Sequence, residues 1–160
     1  MSNERTPADF YSASHYTADD SVGYLMRRVM LGLMQETSRR LEPVGLTNAQ
    51  WAPLFKLHMG KASTVAELAR ELETDPGATT RLLDRLEAKG LCRRVRSEVD
   101  RRVVNVELTA EGRDVAARIP DALSQVMNAH LAGFSREEWQ TLKGFLKRML
   151  DNADALRQPN

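Results

Sequence analysis

The sequence predicts a mainly α-helical fold with one small β-hairpin, six helices and two strands in the order α-α-α-α-β-β-α-α, and three observations carry that reading. Apolar residues recur at helical spacing over most of the chain. Several of these runs open on Ser or Thr followed three residues later by Glu or Gln, so that each side chain satisfies an orphan N–H of the first helical turn. Between Cys92 and Leu108 the period changes to two, the alternation of a half-buried strand.

Residues 1–20 read as a polar N-terminal extension, and residues 21–160 as a single domain. The first helix is expected from about Ser21 to Leu41, with Val22, Leu25, Met26, Val29, Met30 and Leu33 on a buried stripe, until Pro43 and Gly45 break it. The second runs from Asn48 to about Met59, opened by Thr47 with Gln50 and stopped by Gly60. The third covers Val65 to Leu72, opened by Thr64 with Glu67. The fourth starts at Asp75-Pro76, where aspartate caps and proline suits the first turn, and ends near Lys89-Gly90. Cys92 to Arg96 and Arg102 to Leu108 form the hairpin, the second strand turning Val104, Val106 and Leu108 inward, with a polar tip over residues 97–101. After Thr109 a fifth helix carries Val115, Ile119, Leu123, Val126, Met127 and Leu131 and bends at Pro120. The sixth, opened by Ser135 with Glu138, runs from Arg136 to about Ala155 and buries Trp139, Leu142, Phe145, Leu146, Met149 and Leu150.

A chain of 160 residues, 42% hydrophobic and 28% charged, has the size and composition of one globular domain. No apolar run approaches the roughly 20 residues that cross a bilayer, and residues 1–20 lack the basic-then-apolar pattern of a leader, so a cytoplasmic protein is expected. One cysteine, Cys92, leaves no intrachain disulfide, and His15, His58 and His130 are scattered, so neither a metal nor another cofactor is expected. With no Gly-rich phosphate loop and no catalytic constellation anchored to a motif, the chain does not read as an enzyme.

Charge is unevenly spread. Eight basic residues lie between Arg81 and Arg102 against four acidic ones, although the formal net charge of the whole chain is only +1. A local basic excess of this kind is the footprint of phosphate contact. Two short helices joined at Glu73-Thr74 and followed by this basic hairpin match the winged helix-turn-helix order, over about residues 46–109, in which the second helix enters the major groove of double-stranded DNA. Helical geometry puts Thr79, Leu82, Leu83 and Leu86 on one face of that helix and Gly77, Thr80, Arg81, Asp84 and Arg85 on the other. Gly77 and Ala78 permit close approach to the duplex and present N–H groups to an acceptor. Thr80 would donate to phosphate or touch a thymine methyl, and Arg81 would fork onto guanine or a phosphate. Arg101 and Arg102 at the hairpin tip suit a minor groove. The competing reading makes the arginines a solvated face paired with Asp84 and Glu87.

The chain resembles the MarR family of bacterial regulators. The resemblance rests on Val65 to Ala69, Thr80 to Leu91, Asp100-Arg101-Arg102 and Leu108 to Gly112, with Gly45-Leu46-Thr47 and Gln50-Trp51 before them. It implies a triangular homodimer whose dimerisation helices, about residues 21–41 and 109–155, interleave above two winged units. It also implies binding to a short, roughly palindromic operator, usually as a repressor, with Asp100 positioning Arg102 in the minor groove. Thr64, Gly77, Ala78, Thr80, Arg81, Arg85 and Arg101 complete the expected DNA-binding set. The sequence departs from the family at Asp75-Pro76-Gly77, where lysine and serine are more common.

Relatives of this kind often respond to small aromatic acids or phenols held between the dimerisation helices and the winged unit. Candidates here are Arg27, Met30 and Met34 on the first helix and Trp51, Leu54, Phe55 and His58 on the second, although a methionine and aromatic stripe is more often core than pocket. The extension with His15 and Tyr16 either folds over such a pocket or stays loose. The peroxide-sensing branch of the family carries its reactive cysteine near the first helix, whereas Cys92 lies at the hairpin and reads as a packed or idle thiol. Two alternatives stay open: a DNA-binding regulator that answers to no ligand, and a winged-helix adaptor that binds protein.

Overall fold

A computed structural model describes residues 6–157; positions 1–5 of the expected extension and 158–160 of the expected domain lie outside the described residues. Helices α1 (Val22–Leu41), α2 (Asn48–His58), α3 (Val65–Glu71) and α4 (Pro76–Ala88) precede strands β1 (Cys92–Arg96) and β2 (Val104–Leu108), and α5 (Ala110–Ala116), α6 (Ile119–His130) and α7 (Arg136–Arg157) follow. This is the mainly helical fold with one hairpin that the sequence predicts. The expected fifth helix is divided in two. Pro120 supplies no N–H to the ladder and stands in the first turn of α6, so the helical run stops at Ala116 and restarts at Ile119 instead of merely bending.

The helix starts form as their side chains dictate. Thr64 Oγ1 accepts from the Glu67 N–H at 3.1 Å while the Glu67 carboxylate accepts from the Thr64 N–H at 3.2 Å. Ser135 and Glu138 make the same reciprocal pair at 3.1 and 2.7 Å. At α2 the Thr47 N–H donates to Gln50 Oε1 at 3.2 Å. Ser21 accepts from the Tyr24 N–H, and the Val22 N–H donates to the hydroxyl of Tyr11, which ties the extension to the head of α1.

The hairpin is antiparallel and pairs Cys92 with Leu108 and Arg96 with Val104. Its second strand is two residues shorter than expected, because Arg102 and Val103 belong to the tip, where Val103 donates to the Asp100 carbonyl at 2.9 Å. Thr64 adds a one-residue bridge to Asn105, and the Val106 N–H donates to the Ser63 carbonyl, so the start of α3 acts as a third strand of the wing.

The core lies under the helix-turn-helix, where Leu41, Leu54, Leu68, Leu83, Leu86 and Ile119 are fully buried. The motif at residues 108–112 locks α5 to this core. Thr109 caps α5 through the Gly112 N–H and donates its own proton to the Gly90 carbonyl at 2.6 Å. A Cβ on Gly112 would stand 1.8 Å from the Leu91 carbonyl oxygen, so only glycine fits.

Away from this core the expectation changes. The α1 stripe of Val22, Leu25, Met26, Val29 and Met30 is exposed, Val29 and Met30 by more than half, and α7 has no buried residue although Phe145, Leu146, Met149 and Leu150 share its length. Helical spacing marks a face as apolar; among the described residues of one chain no other element covers these two.

Candidate nucleic-acid interface

Helix α4 is anchored by its apolar side and by a polar pair at its root. Thr79, Leu83 and Leu86 are buried, and the Thr79 hydroxyl bonds that of Thr74 at 2.8 Å across the turn from α3. Glu73 makes that turn possible in a left-handed conformation, φ 49°, unusual for a residue with a side chain. The opposite face, with Gly77, Thr80, Arg81, Asp84 and Arg85, is exposed as the periodicity predicts.

Two details of the helix start differ from expectation. The N–H groups of Gly77 and Ala78 are not open to a phosphate or base, because Asp75 Oδ1 accepts from both at 2.9 and 3.1 Å. An N-cap aspartate folds back on these donors by preference. Thr80 likewise donates its hydroxyl proton to the Pro76 carbonyl at 2.9 Å, which leaves its methyl and oxygen lone pairs facing outward. Thr64 caps α3, and its half-buried hydroxyl stands where α3 meets the wing.

At the wing tip Ser97 Oγ accepts from the N–H groups of Val99 and Asp100, and Asp100 Oδ1 accepts from the Arg102 N–H at 2.9 Å. The carboxylate thus fixes the backbone from which Arg102 projects. Arg101 and Arg102 are exposed beside it.

The basic residues divide into two groups. Lys89 reaches back to the Gly45 carbonyl and Gln50 at 2.6 and 2.7 Å, Arg93 pairs with Glu107 across the hairpin, and Arg94 binds Asp84 and Glu87. Arg81, Arg85, Arg96, Arg101 and Arg102 have no side-chain partner among the described residues. Asp84 and Glu87, which a solvated-face reading pairs with the arginines of α4, are occupied by Arg94 from β1. The guanidinium groups on α4 and the wing tip are therefore free to meet an anion.

A family model described as MarR family matches residues 46–104. The multiple antibiotic resistance protein MarR of Escherichia coli is 33% identical over 111 residues, which is 69% of this chain and 77% of that protein. An HTH-type transcriptional repressor of Mycobacterium bovis is 32% identical over 133 residues, 82% of this chain and 96% of that protein. The chain belongs to the MarR family. The crystal structure of a mutant E. coli MarR complexed with operator DNA is similar at a TM-score of 0.74 and 30% identity, over 80% of this chain and 92% of that one. As a MarR-family protein the chain is a DNA-binding transcriptional regulator with a winged helix, not an enzyme.

The residues expected to line an effector pocket are not gathered into one cavity. Leu54 is fully buried and belongs to the core, while Trp51 and Phe55 pack against that core from its edge. Arg27, Met30 and Met34 are exposed on α1. His58 lines a cleft of about 640 Å³ between the end of α2, the hairpin and the start of α5, and its company there is Arg93, Glu107 and Arg113. The helical period groups residues by face but says nothing of which element stands opposite. Sequence reasoning also missed Ser97 as the organiser of the wing tip and Arg94 as the partner of both acids on α4; the two acids at i and i+3 beside a strand arginine were the available signal for the latter.

Cys92 is buried, and burial, aided by the nearby Glu87 charge, pushes its thiol up to about 11. It is a packed thiol. No helix among the described residues is long and apolar enough to cross a membrane.

Proposed function

We propose that the protein is a cytoplasmic repressor that binds a roughly palindromic operator as a homodimer. The single observation that carries this reading is the set of free, exposed arginines on two neighbouring projections: Arg81 and Arg85 on α4, Arg101 and Arg102 on the wing. In this assignment α4 lies in the major groove with Arg81 on a base edge and Arg85 on the backbone, Gly77, Ala78 and Thr80 lie close to the duplex, and Asp100 holds Arg102 toward the minor groove. Thr64, at the head of α3, meets the phosphates.

Residues 46–109 make the winged unit, helices over about 21–41 and 109–155 make the dimer, and residues 1–20 are an extension to it. The exposed apolar faces of α1 and α7 support the second point, since contiguous apolar surface of this kind commonly marks an association site. A two-fold pair of α4 helices then meets half-sites about one turn of DNA, roughly 34–36 Å, or a multiple apart.

The same reading includes release by a small aromatic acid or phenol at the His58 cleft. Its volume of about 640 Å³ falls in the range of ligand pockets, and His58 and Arg113 offer hydrogen bonds or charge to a carboxylate or phenol beside the Arg93–Glu107 pair. Arg81→Ala and Arg102→Ala are each expected to weaken operator binding by about 5- to 150-fold, the equivalent of about 1–3 kcal/mol for a base contact, while the fold stays intact by circular dichroism. Unchanged gel-shift affinity in both variants would refute the assigned surface.

A further inference from the structure

We propose that Arg94 is a positioning residue for DNA recognition: it does not touch DNA but withholds Asp84 and Glu87 from the reading arginines of α4. The inference rests on the assignment of Arg81 to base reading. Asp84 stands three residues after Arg81 on the same exposed face, within the spacing at which helix side chains pair. An unengaged Asp84 would take the Arg81 guanidinium for itself and would also set a negative charge against the incoming phosphates.

Arg94 prevents both. Its Nη2 donates to Asp84 Oδ1 at 2.6 Å, its Nε donates to Glu87 Oε2 at 2.8 Å, and Nη2 also contacts Glu87 Oε2. Its backbone N–H donates to Glu87 Oε1 at 2.7 Å, so Glu87 is held at both oxygens. The planar fork spreads its donors over Nε and Nη2, which lets it hold Glu87 through two nitrogens while also reaching Asp84, a geometry that suits arginine better than the single nitrogen of lysine. The Arg94 side chain is 27% exposed, against 54% for Asp84, so the cation sits behind Asp84 and draws it toward the hairpin. The Arg94 hydrogen bond holds the Glu87 carboxyl below the usual carboxylate range, which keeps the pair ionised. The exposed arginines Arg81 and Arg85 on the same helix are the complement of this arrangement: they are free because the acids are not.

The test uses a duplex that the wild-type protein selects from a random-sequence DNA pool. R94Q is expected to bind it at least tenfold more weakly, and D84N/R94Q to recover to within about threefold of wild type with an unchanged salt slope. D84N/E87Q, which keeps Arg94, is expected to bind at least as tightly as wild type. The proposal is overturned if D84N/R94Q stays as weak as R94Q, or if D84N/E87Q loses tenfold, since either result makes Arg94 a latch for the wing alone. A salt slope lower by about one unit in D84N/R94Q also overturns it, because Arg94 would then be a phosphate contact. Should R94Q unfold, D84N/E87Q decides by itself. R81A separates the two levels: full affinity in R81A sinks the reading surface, whereas weak R81A with no rescue by D84N sinks only the role of Arg94.

Discussion

Gly112 and Cys92 show how much a single position owes to neighbours far away in sequence. Gly112 lies in an ordinary helical turn, and nothing local demands glycine there, yet the Leu91 carbonyl occupies the place of its Cβ. Gly112→Ala is expected to cost about 3 kcal/mol, the upper end of overpacking penalties, and thermal denaturation should show the melting point falling by several degrees. Cys92 was legible as a packed thiol from its place at the hairpin, but its burial needed the fold. With the thiol raised to about 11, alkylation by iodoacetamide at pH 8 should proceed in the native protein far more slowly than in denaturant, by mass spectrometry; equal rates would contradict the buried site.

At the scale of elements, capping side chains made most boundaries readable. Thr64 with Glu67 and Ser135 with Glu138 start their helices as the spacing predicts, because the partners are local and the geometry repeats. Where the outcome depended on competition the sequence was less informative: Asp75 takes the N–H groups of Gly77 and Ala78 that were expected to face DNA. The contact between α4 and β1 carries a pH dependence. The folded-state pKa of Glu87 is depressed by Arg94, so its contribution to stability is complete above the ordinary glutamate range and is lost as the pH falls through the lowered value. Denaturant titrations from pH 6 down through that range should show wild type losing more stability than E87Q; parallel curves would deny the clamp an energetic role.

For the whole molecule the exposed faces of α1 and α7 matter most. Leu25→Glu combined with Val29→Glu places two charges in the proposed dimer contact. The variant is expected to run as a monomer by light scattering and to lose operator binding while the winged unit keeps its helicity; a stable dimer would reassign the interface. The helical period foretold both apolar stripes as buried faces, but could not say what covers them. Within one chain the residues of the candidate pocket stand apart: Leu54 lies in the core, His58 in a cleft by the hairpin, and the methionines of α1 at the surface.

By itself the sequence determined the helices, the hairpin, the outward face of α4 and the basic character of the wing, since these follow from interactions a few residues apart. Tertiary structure alone decided which charges are free. Arg94 and Arg102 look alike in the chain, yet one is folded onto two carboxylates and the other projects from a turn. Long side chains choose their partners across space, and a guanidinium leaves water only where the fold supplies oxygens to replace it.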